Sequence, residues 1–429
     1  MFSHCLKLSY KDTAQQNSYV TIPRAANSFD NTEIAANVDE DIIDSLTGGR
    51  LVGSVTSFEN FAECPLRYYL RYGVDLKERE EFTFSPVNFG VVLHAVIREV
   101  CDEIKKNGES YYLISEEKRR EMVKRSVAAI TDIYQNSILK DSSRNSFMIK
   151  RMEDLADRTV WAMGEQLKCG DFVPFVFEHK FNMEVGDGDR KQLMSGTIDR
   201  VDICENGTDV YVRIIDYKTG KKDFNIVKTY YGIDIQLMVY MEAAMKLVAK
   251  MRPGKNVIPA GVFYYNISDP IVSATTESAE EIEDKIKGEL RLKGMVNSDK
   301  DIAEKMDNNE GTSLNIPVSR KADGGFDSRR SKVMNTEQFN MLGRFVDVRA
   351  VDTADRIAGG DIRRSPYKDG QFSSCDRCPY GAVCGFSVDL PGCNYRKLKK
   401  FDDEVLWNNI KEGVDENGKK MDTGAEERD

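Results

Sequence analysis

Two short stretches place carboxylates where paired strands would hold them side by side. In "GTIDRVDI" and "IIDYKTG", Asp199 and Asp216 each follow apolar β-branched residues, and Lys218 stands two positions after Asp216, on the same face of an extended chain. Neighbouring strands would bring two carboxylates and an ammonium to one point. Oxygen ligands of this kind suit Mg²⁺ or Mn²⁺, which keep several waters and accept phosphate oxygens, and an ammonium nearby could orient or deprotonate an attacking water. The plain alternative is a salt bridge across a sheet. Against it stands the cost of burying an unpaired carboxylate at the end of an apolar run. His94, one of three histidines, lies inside the apolar "FGVVLHAVIREV". It is either a satisfied core histidine or, if that helix packs over the sheet, a metal ligand. Gln236 and Tyr240 project together at i and i+4, to hold a nucleic-acid strand or to pack the core.

A second kind of chemistry sits near the C-terminus. "SSCDRCPYGAVCGFS" sets Cys375, Cys378 and Cys384 at the spacing of three ligands of a metal site and leaves the fourth to be found. Four thiolates would suit zinc or an iron–sulfur cluster, and spacing does not separate the two. The nine cysteines are odd in number and scattered, unlike a secreted disulfide scaffold, so a reducing, cytoplasmic setting is expected, with Cys5, Cys101, Cys169 and Cys204 as thiols. The composition, 41% hydrophobic and 31% charged, contains no apolar run able to span a bilayer, so no membrane association is expected. The net charge of -10 argues against nucleic acid only on average. Residues 401–429 are acidic and mask a basic stretch between Arg356 and Lys400, where Arg363, Arg364, Lys368 and Arg377 are the expected phosphate contacts.

The elements that must carry these groups follow from periodicity. Residues 1–50 are a weakly patterned lead. Residues 51–170 read as helical, with Ser57 as an N-cap and Leu93, Val96, Ile97 and Val100 on one helix face. Residues 171–266 read as an α/β core: strands in "FVPFVFEHKFNMEV", "QLMSGTIDRVDIC" and "DVYVRIIDYKTG", a helix in "DIQLMVYMEAAMKLVAKM", and a further strand in "VIPAGVFYYN". Strands, helix, strand implies a mixed sheet with a crossover. Residues 267–330 read as a polar surface insertion. Residues 331–400 hold a last helix, about 335–358, and the cysteine loop, and 401–429 form an acidic tail.

The order "FGVVLHAVIREV", "SGTIDRVD", "IIDYKTG", "QLMVY" resembles the PD-(D/E)XK nucleases of the RecB type. The flanking "SFENFAECPLRYYLRYGVDLKERE" and "CDRCPYGAVCGF" are similar to the C-terminal nuclease domain of AddB-type subunits, so that the resemblance runs from about Ser54 to Lys399. It implies a mixed-sheet, restriction-endonuclease-like α/β core with flanking helices and an iron–sulfur staple. The implied activity is a metal-dependent DNA exonuclease that acts at ends in double-strand break repair. Carried over, His94, Asp199, Asp216 and the Tyr217 carbonyl would bind Mg²⁺ or Mn²⁺, Lys218 would serve the water, and Gln236 and Tyr240 would support the site. Glu178 is a weaker acidic candidate. Cys64 would complete a 4Fe-4S site with Cys375, Cys378 and Cys384, leaving Cys393 structural or free. Ile198 stands where the family's motif has proline.

A site joining residue 64 to residues 375–384 closes a long loop, so it is expected to clamp the fold and support the helices that carry His94. The implied partners are DNA and an AddA-type helicase-nuclease. No Gly-x4-Gly-Lys-Ser/Thr loop occurs, and the helicase-like region of a full AddB-type protein has no counterpart, so a split, truncated or standalone nuclease is expected. The remaining alternatives are a small CRISPR-associated-type iron–sulfur exonuclease, a catalytically silent DNA-end-binding module, and a zinc-stapled structural protein.

Overall fold

The computed structural model describes residues 37–39, 41–43, 52–77, 86–133, 143–185, 192–273, 277–390 and 393–426. Most of the weakly patterned lead, Cys5 included, lies outside the described residues. No helix among the described residues is long and apolar enough to cross a membrane.

Helix α1 (Val55–Glu63) is capped by Ser54, whose hydroxyl accepts from the Ser57 amide at 3.1 Å. The cap expected at Ser57 thus falls one turn earlier, and Ser57 lies inside the helix. Helices α2 (Pro86–Lys106), α3 (Glu116–Ile133) and α4 (Ser143–Lys168) follow. On α2 the run Leu93, Val96, Ile97, Val100 and Ile104 keeps one face buried at helical spacing. Strands β1 (Val173–Val185), β2 (Gln192–Asn206) and β3 (Asp209–Lys218) come next, with Gly207 at a φ of 60° turning β2 into β3. Helix α5 (Gln236–Met251) then crosses over to β4 (Asn256–Asn266), which lies parallel to β3. Strand β5 (Lys293–Asn297) pairs antiparallel with β4, and β6 (Val333–Met334) pairs parallel with β5. Helix α6 (Thr336–Ala358) leads to the short strands β7 (Tyr367–Asp369), β8 (Phe372–Ser373) and β9 (Arg396–Lys397), and α7 (Asp403–Glu426) closes the chain.

These elements form two compact units. The first comprises residues 1–78, 185–192 and 350–400, and the second residues 79–184, 193–349 and 401–429. In the second, Tyr211, Ile215 and Tyr217 of β3 pack with Leu93, Val96, Met122, Val160 and Met163 of α2, α3 and α4. The alternate residues Val210, Val212 and Ile214 are equally buried, so β3 is a central strand covered on both faces. Helix α5 carries the second cover.

Two segments differ from the reading of their composition. Residues 267–330, polar on average, supply β5 to the sheet and bury Ile302, Ala303, Met306, Ile316 and Val318 in the main core. Their apolar residues come in pieces too short to register against the charged helix Ala279–Glu289. The acidic tail is helix α7, anchored one turn apart by Leu406 and Ile410.

Between α5 and α6 lies an apolar recess of about 870 Å³, lined by Met238, Met241, Met245 and Phe339, with Asp347 at its wall. Burial, and then the Glu242 carboxyl hydrogen-bonded to it, push the Asp347 pKa up to about 8. An unfolded aspartate has lost its proton above about pH 4. Between about pH 4 and 8 the folded chain therefore holds the extra proton, and stability falls as pH rises through that window. Asp347→Asn keeps a donor towards Glu242 without the titration. It is expected to raise the melting temperature at pH 8 more than at pH 5.5, whereas equal shifts at the two values would show that no proton is held there.

Candidate active site

The C-terminal end of β3 and the middle of β2 build the site. The Asp199 carboxylate accepts the Tyr217 amide through Oδ2 at 2.6 Å, which ties one acid to the strand that carries the other. Asp216 is 2% exposed. Its Oδ1 accepts from Gln236 Nε2 at 3.1 Å, and its Oδ2 stands 2.5 Å from Lys218 Nζ, an ion contact whose angles do not make a hydrogen bond. Gln236, in the first turn of α5, joins the groups: its Oε1 accepts from Lys218 at 3.0 Å and its Nε2 also donates to the Tyr240 hydroxyl at 2.9 Å. Tyr240 meets Phe181 of β1 edge-on at 5.6 Å. Gly196 permits this, because a Cβ there would come 2.6 Å from the Phe181 ring and 3.0 Å from that of Tyr240. The glycine of "GTID" is thus required by close approach.

His94 Nδ1 lies 3.4 Å from Asp199 Oδ1 and 3.9 Å from Glu178 Oε1. One ligand atom from each of these three residues falls within a mutual 4.8 Å, the spacing of a metal-ligand group. Glu178 reaches it from the middle of β1 with a φ of 47°, a left-handed conformation that a residue with a Cβ adopts at a cost of about 1–2 kcal/mol. The geometry of Tyr217 shows its amide on Asp199 and its ring edge-on to His94 at 5.9 Å.

The electrostatics fit a cation. Burial, then the neighbouring Asp199, raise the Glu178 carboxyl, and the same two causes push Asp216 up to about 6 in spite of Lys218. Burial opposes the charged form of His94, yet the surrounding carboxylates raise its pKa. Two acids that resist ionising together, an imidazole and a buried Asp216 oxygen that faces the Lys218 ammonium are a donor set suited to a small divalent ion.

Beneath the site, on the face of β2 and β3 turned to α2–α4, lies a group that residue reading did not single out. Arg200 clamps Asp202 through Nε–Oδ1 and Nη2–Oδ2 contacts of 2.7 and 2.6 Å, and Arg213 Nε reaches the same carboxylate at 2.9 Å. All three are at most 1% exposed. The available signal was alternation: Arg200, Asp202 and Arg213 occupy inward positions of strands that are otherwise apolar.

Cys64, Cys375, Cys378 and Cys384 belong to the first unit, and none of them is in a disulfide. Burial raises Cys375 and Cys384, and each is raised further by Cys64 and Cys378, so the four are electrostatic neighbours. Cys393 is buried and is not among the charges that raise them. Arg396 donates through Nη2 to the Ala62 and Glu63 carbonyls at the end of α1, and the Tyr380 hydroxyl donates to the Leu76 carbonyl at 2.9 Å. Hydrogen bonds therefore join residues 62–76 to 380–396 independently of the thiols. His94 sits in the second unit, on a helix held by that unit's own core.

Of the expected phosphate contacts, Arg363 is bound to Asp361 at 2.9 and 2.6 Å, and Arg356 shares the same carboxylate. Burial alone would raise Asp361; the guanidiniums hold it at about 2. Arg364 donates to the Cys384 carbonyl at 3.3 Å. Lys368 and Arg377 remain exposed, over the rings of Tyr395 and Phe372.

Residues 53–385 match the PD-(D/E)XK nuclease superfamily. The chain is similar to the B-type subunit of the ATP-dependent helicase/deoxyribonuclease of Lachnoclostridium phytofermentans, with 34% identity over 399 residues that cover 90% of this chain and 34% of that one. The same protein of Clostridium acetobutylicum is 34% identical over 383 residues, or 87% and 33% of the two chains, and that of Thermoanaerobacter sp. is 33% identical over 380 residues, or 86% and 33%. The chain spans about a third of the length of these curated relatives.

Proposed function

Because the chain belongs to the PD-(D/E)XK nuclease superfamily, we propose that it is a metal-dependent DNA exonuclease of the AddB type, hydrolysing phosphodiester bonds at DNA ends in double-strand break repair. The observation that carries this reading is the His94, Glu178 and Asp199 group beside the Asp216–Lys218 pair. A divalent ion held there by His94, Glu178, Asp199 and Asp216, with the Tyr217 carbonyl as a further ligand, would supply a more acidic water and neutralise charge on the phosphate. Lys218, pointed by Asp216 and Gln236, keeps an ammonium where a water or a phosphate oxygen would lie. Gln236 and Tyr240 position it rather than react. The relatives are named as one component of a helicase/deoxyribonuclease, which supports an AddA-type helicase-nuclease as partner for this chain.

The four thiols are assigned to a 4Fe-4S cluster. The mutual electrostatic influence of Cys64, Cys375, Cys378 and Cys384 supports a shared site, and their match to the cysteines of AddB-type nuclease domains supports an iron–sulfur cluster over zinc.

One preparation tests both assignments. Protein purified anaerobically is expected to be brown, with about four irons per chain, and to degrade linear DNA when Mg²⁺ or Mn²⁺ is added while leaving closed circles intact. Colourless protein holding one zinc would overturn the cluster, and linear DNA surviving with both metals and with a helicase partner added would overturn the nuclease.

A further inference from the structure

Beside the end of β3 the second unit carries a groove of about 1140 Å³ that the metal site and its supporting residues leave unused. Its walls are the loop Thr219–Asp223, the chain after β4 from Asn266 to Ile271, the approach to β5 at Arg291 and Lys293, Lys332, and the first turns of α4. It adjoins the strand end that carries Lys218, since Thr219 is part of its lining. Lys218 Nζ and Lys222 Nζ stand over the same Tyr264 ring, 5.5 and 4.5 Å from its centroid, and Phe89 lines the groove five residues before His94 on α2, about 7.5 Å along the helix.

In a chain of net charge -10 this groove is basic, with seven Lys or Arg against four Asp or Glu. Several of the cations are already engaged: Lys150 by Asp154 at 2.7 Å, Lys222 by Asp234 at 3.0 Å and Lys332 by Asp223. Arg151, Lys221, Arg291 and Lys293 have no ion-pair partner among the described residues. Arg291 Nε is buried without a hydrogen-bond acceptor, and burial and then Arg291 lower the Lys293 pKa, which Asp223 and Glu289 raise only in part. The rim is apolar as well: Phe147 is 64% exposed and Ile271 fully so. Unpaired cations along a cleft beside an exposed ring are what a single nucleic-acid strand meets, phosphates on the charges and a base on the ring; a paired duplex leaves the stacking face unused.

We propose that this groove holds one strand of DNA leading to the Asp216–Lys218 site, with phosphates on Arg151, Lys221, Arg291 and Lys293 and a base stacked on Phe147. The proposal rests on the nuclease reading for its choice of DNA and extends it to the path and the strandedness of the substrate. It also moves the expected phosphate contacts away from Arg363 and Arg364, which the fold has already engaged.

The test uses the full chain and a fluorescent oligothymidylate in EDTA, with binding followed by anisotropy over a range of salt. Arg151→Glu combined with Lys221→Glu, both at exposed positions, is expected to weaken binding at least about tenfold at low salt and to flatten the salt dependence by roughly two phosphate contacts. Phe147→Ala is expected to weaken it by about tenfold with the salt dependence unchanged. The control Lys106→Glu with Lys124→Glu, equal in charge change and also exposed, is expected to have little effect. Hydrolysis of bis(p-nitrophenyl) phosphate with Mn²⁺, too small a substrate to use the groove, is expected to be the same in wild type and groove variants. Unchanged affinity in the groove variant, equal weakening by the control, or tighter binding of a blunt duplex than of the single strand would overturn the path. If the wild type hydrolysed neither the small ester nor DNA, yet the strand still bound in a groove-dependent way, the nuclease reading would fail and the strand path would stand.

Discussion

Asp216→Asn is expected to lower metal-dependent cleavage of linear DNA by about three orders of magnitude, and Lys218→Met by about two to three, with opposite marks on metal binding. Asparagine keeps the volume of Asp216 and the acceptor that Gln236 holds, so the fold survives. It removes the buried, charged oxygen that faces the Lys218 ammonium, and Mn²⁺ affinity should drop with the rate. Methionine at 218 removes the ammonium that stands 2.5 Å from that oxygen. Mn²⁺ affinity should then hold or rise while cleavage fails, because a competing cation has gone. Acidity gives a further signature. Burial and Asp199 push the Asp216 carboxyl up to about 6, so in wild type a proton must leave before the ion is held. Mn²⁺ affinity should climb as pH rises through 6 and level off above it, and Asp216→Asn should climb less steeply. Calorimetric titration with Mn²⁺ at several pH values, alongside digestion of end-labelled DNA, separates the roles. Full cleavage by Asp216→Asn, from protein free of contaminating nuclease, would remove it from the reaction, and joint loss of metal and activity in Lys218→Met would make the lysine structural.

Why some of this was readable before the fold and some was not has a physical basis. Strand alternation is local, so Asp216 and Lys218 could be set on one face, and the i, i+4 spacing of Gln236 and Tyr240 could be set on one helix stripe. Their meeting depends on the β3–α5–β4 crossover, which the strand, helix and strand pattern implies. Glu178 is different. In "FEHKF" it has the look of a solvated strand residue, and what turns it to His94 is a backbone φ of 47° that its neighbours do not signal. Arg363 reads as a free charge because Asp361, two positions away, is a common residue, and only the fold shows it gripping two guanidiniums. Units built from separated segments are hard to read for a related reason. Residues 185–192 and 350–400 fall with the N-terminal segment in one unit, and division along the chain cannot express units assembled from separated segments.

Asp202→Asn is the substitution from which the largest loss of stability is expected, about 3–5 kcal/mol, because it leaves the guanidiniums of Arg200 and Arg213 buried without a countercharge. A loss of that size is a large part of the ordinary stability of a domain. Arg213 already has little to spare: its Nη2 is buried without an acceptor and its guanidinium lies 4.8 Å from the centre of the Phe172 ring. Burial would raise Asp202, but the two arginines hold it below the usual carboxylate range. The stabilisation is therefore complete above about pH 4 and is lost only as pH falls through the lowered value. Both tryptophans, Trp161 and Trp407, belong to the second unit, so their fluorescence in a urea titration reports on the unit that contains the triad. The effect should reach the active site as well, since Arg200 is an electrostatic neighbour of Tyr217, whose ring abuts His94 and whose amide holds Asp199. Replacing all three charges at once, with Arg200→Met, Asp202→Leu and Arg213→Met, is expected to recover much of the lost stability, because an apolar core of similar volume removes the orphaned charges. It should not recover Mn²⁺ affinity, because the charge beside Tyr217 is gone. A midpoint for Asp202→Asn within about 0.5 kcal/mol of wild type, the range of ordinary surface substitutions, would mean that water reaches these charges and that the triad does not hold the floor of the site.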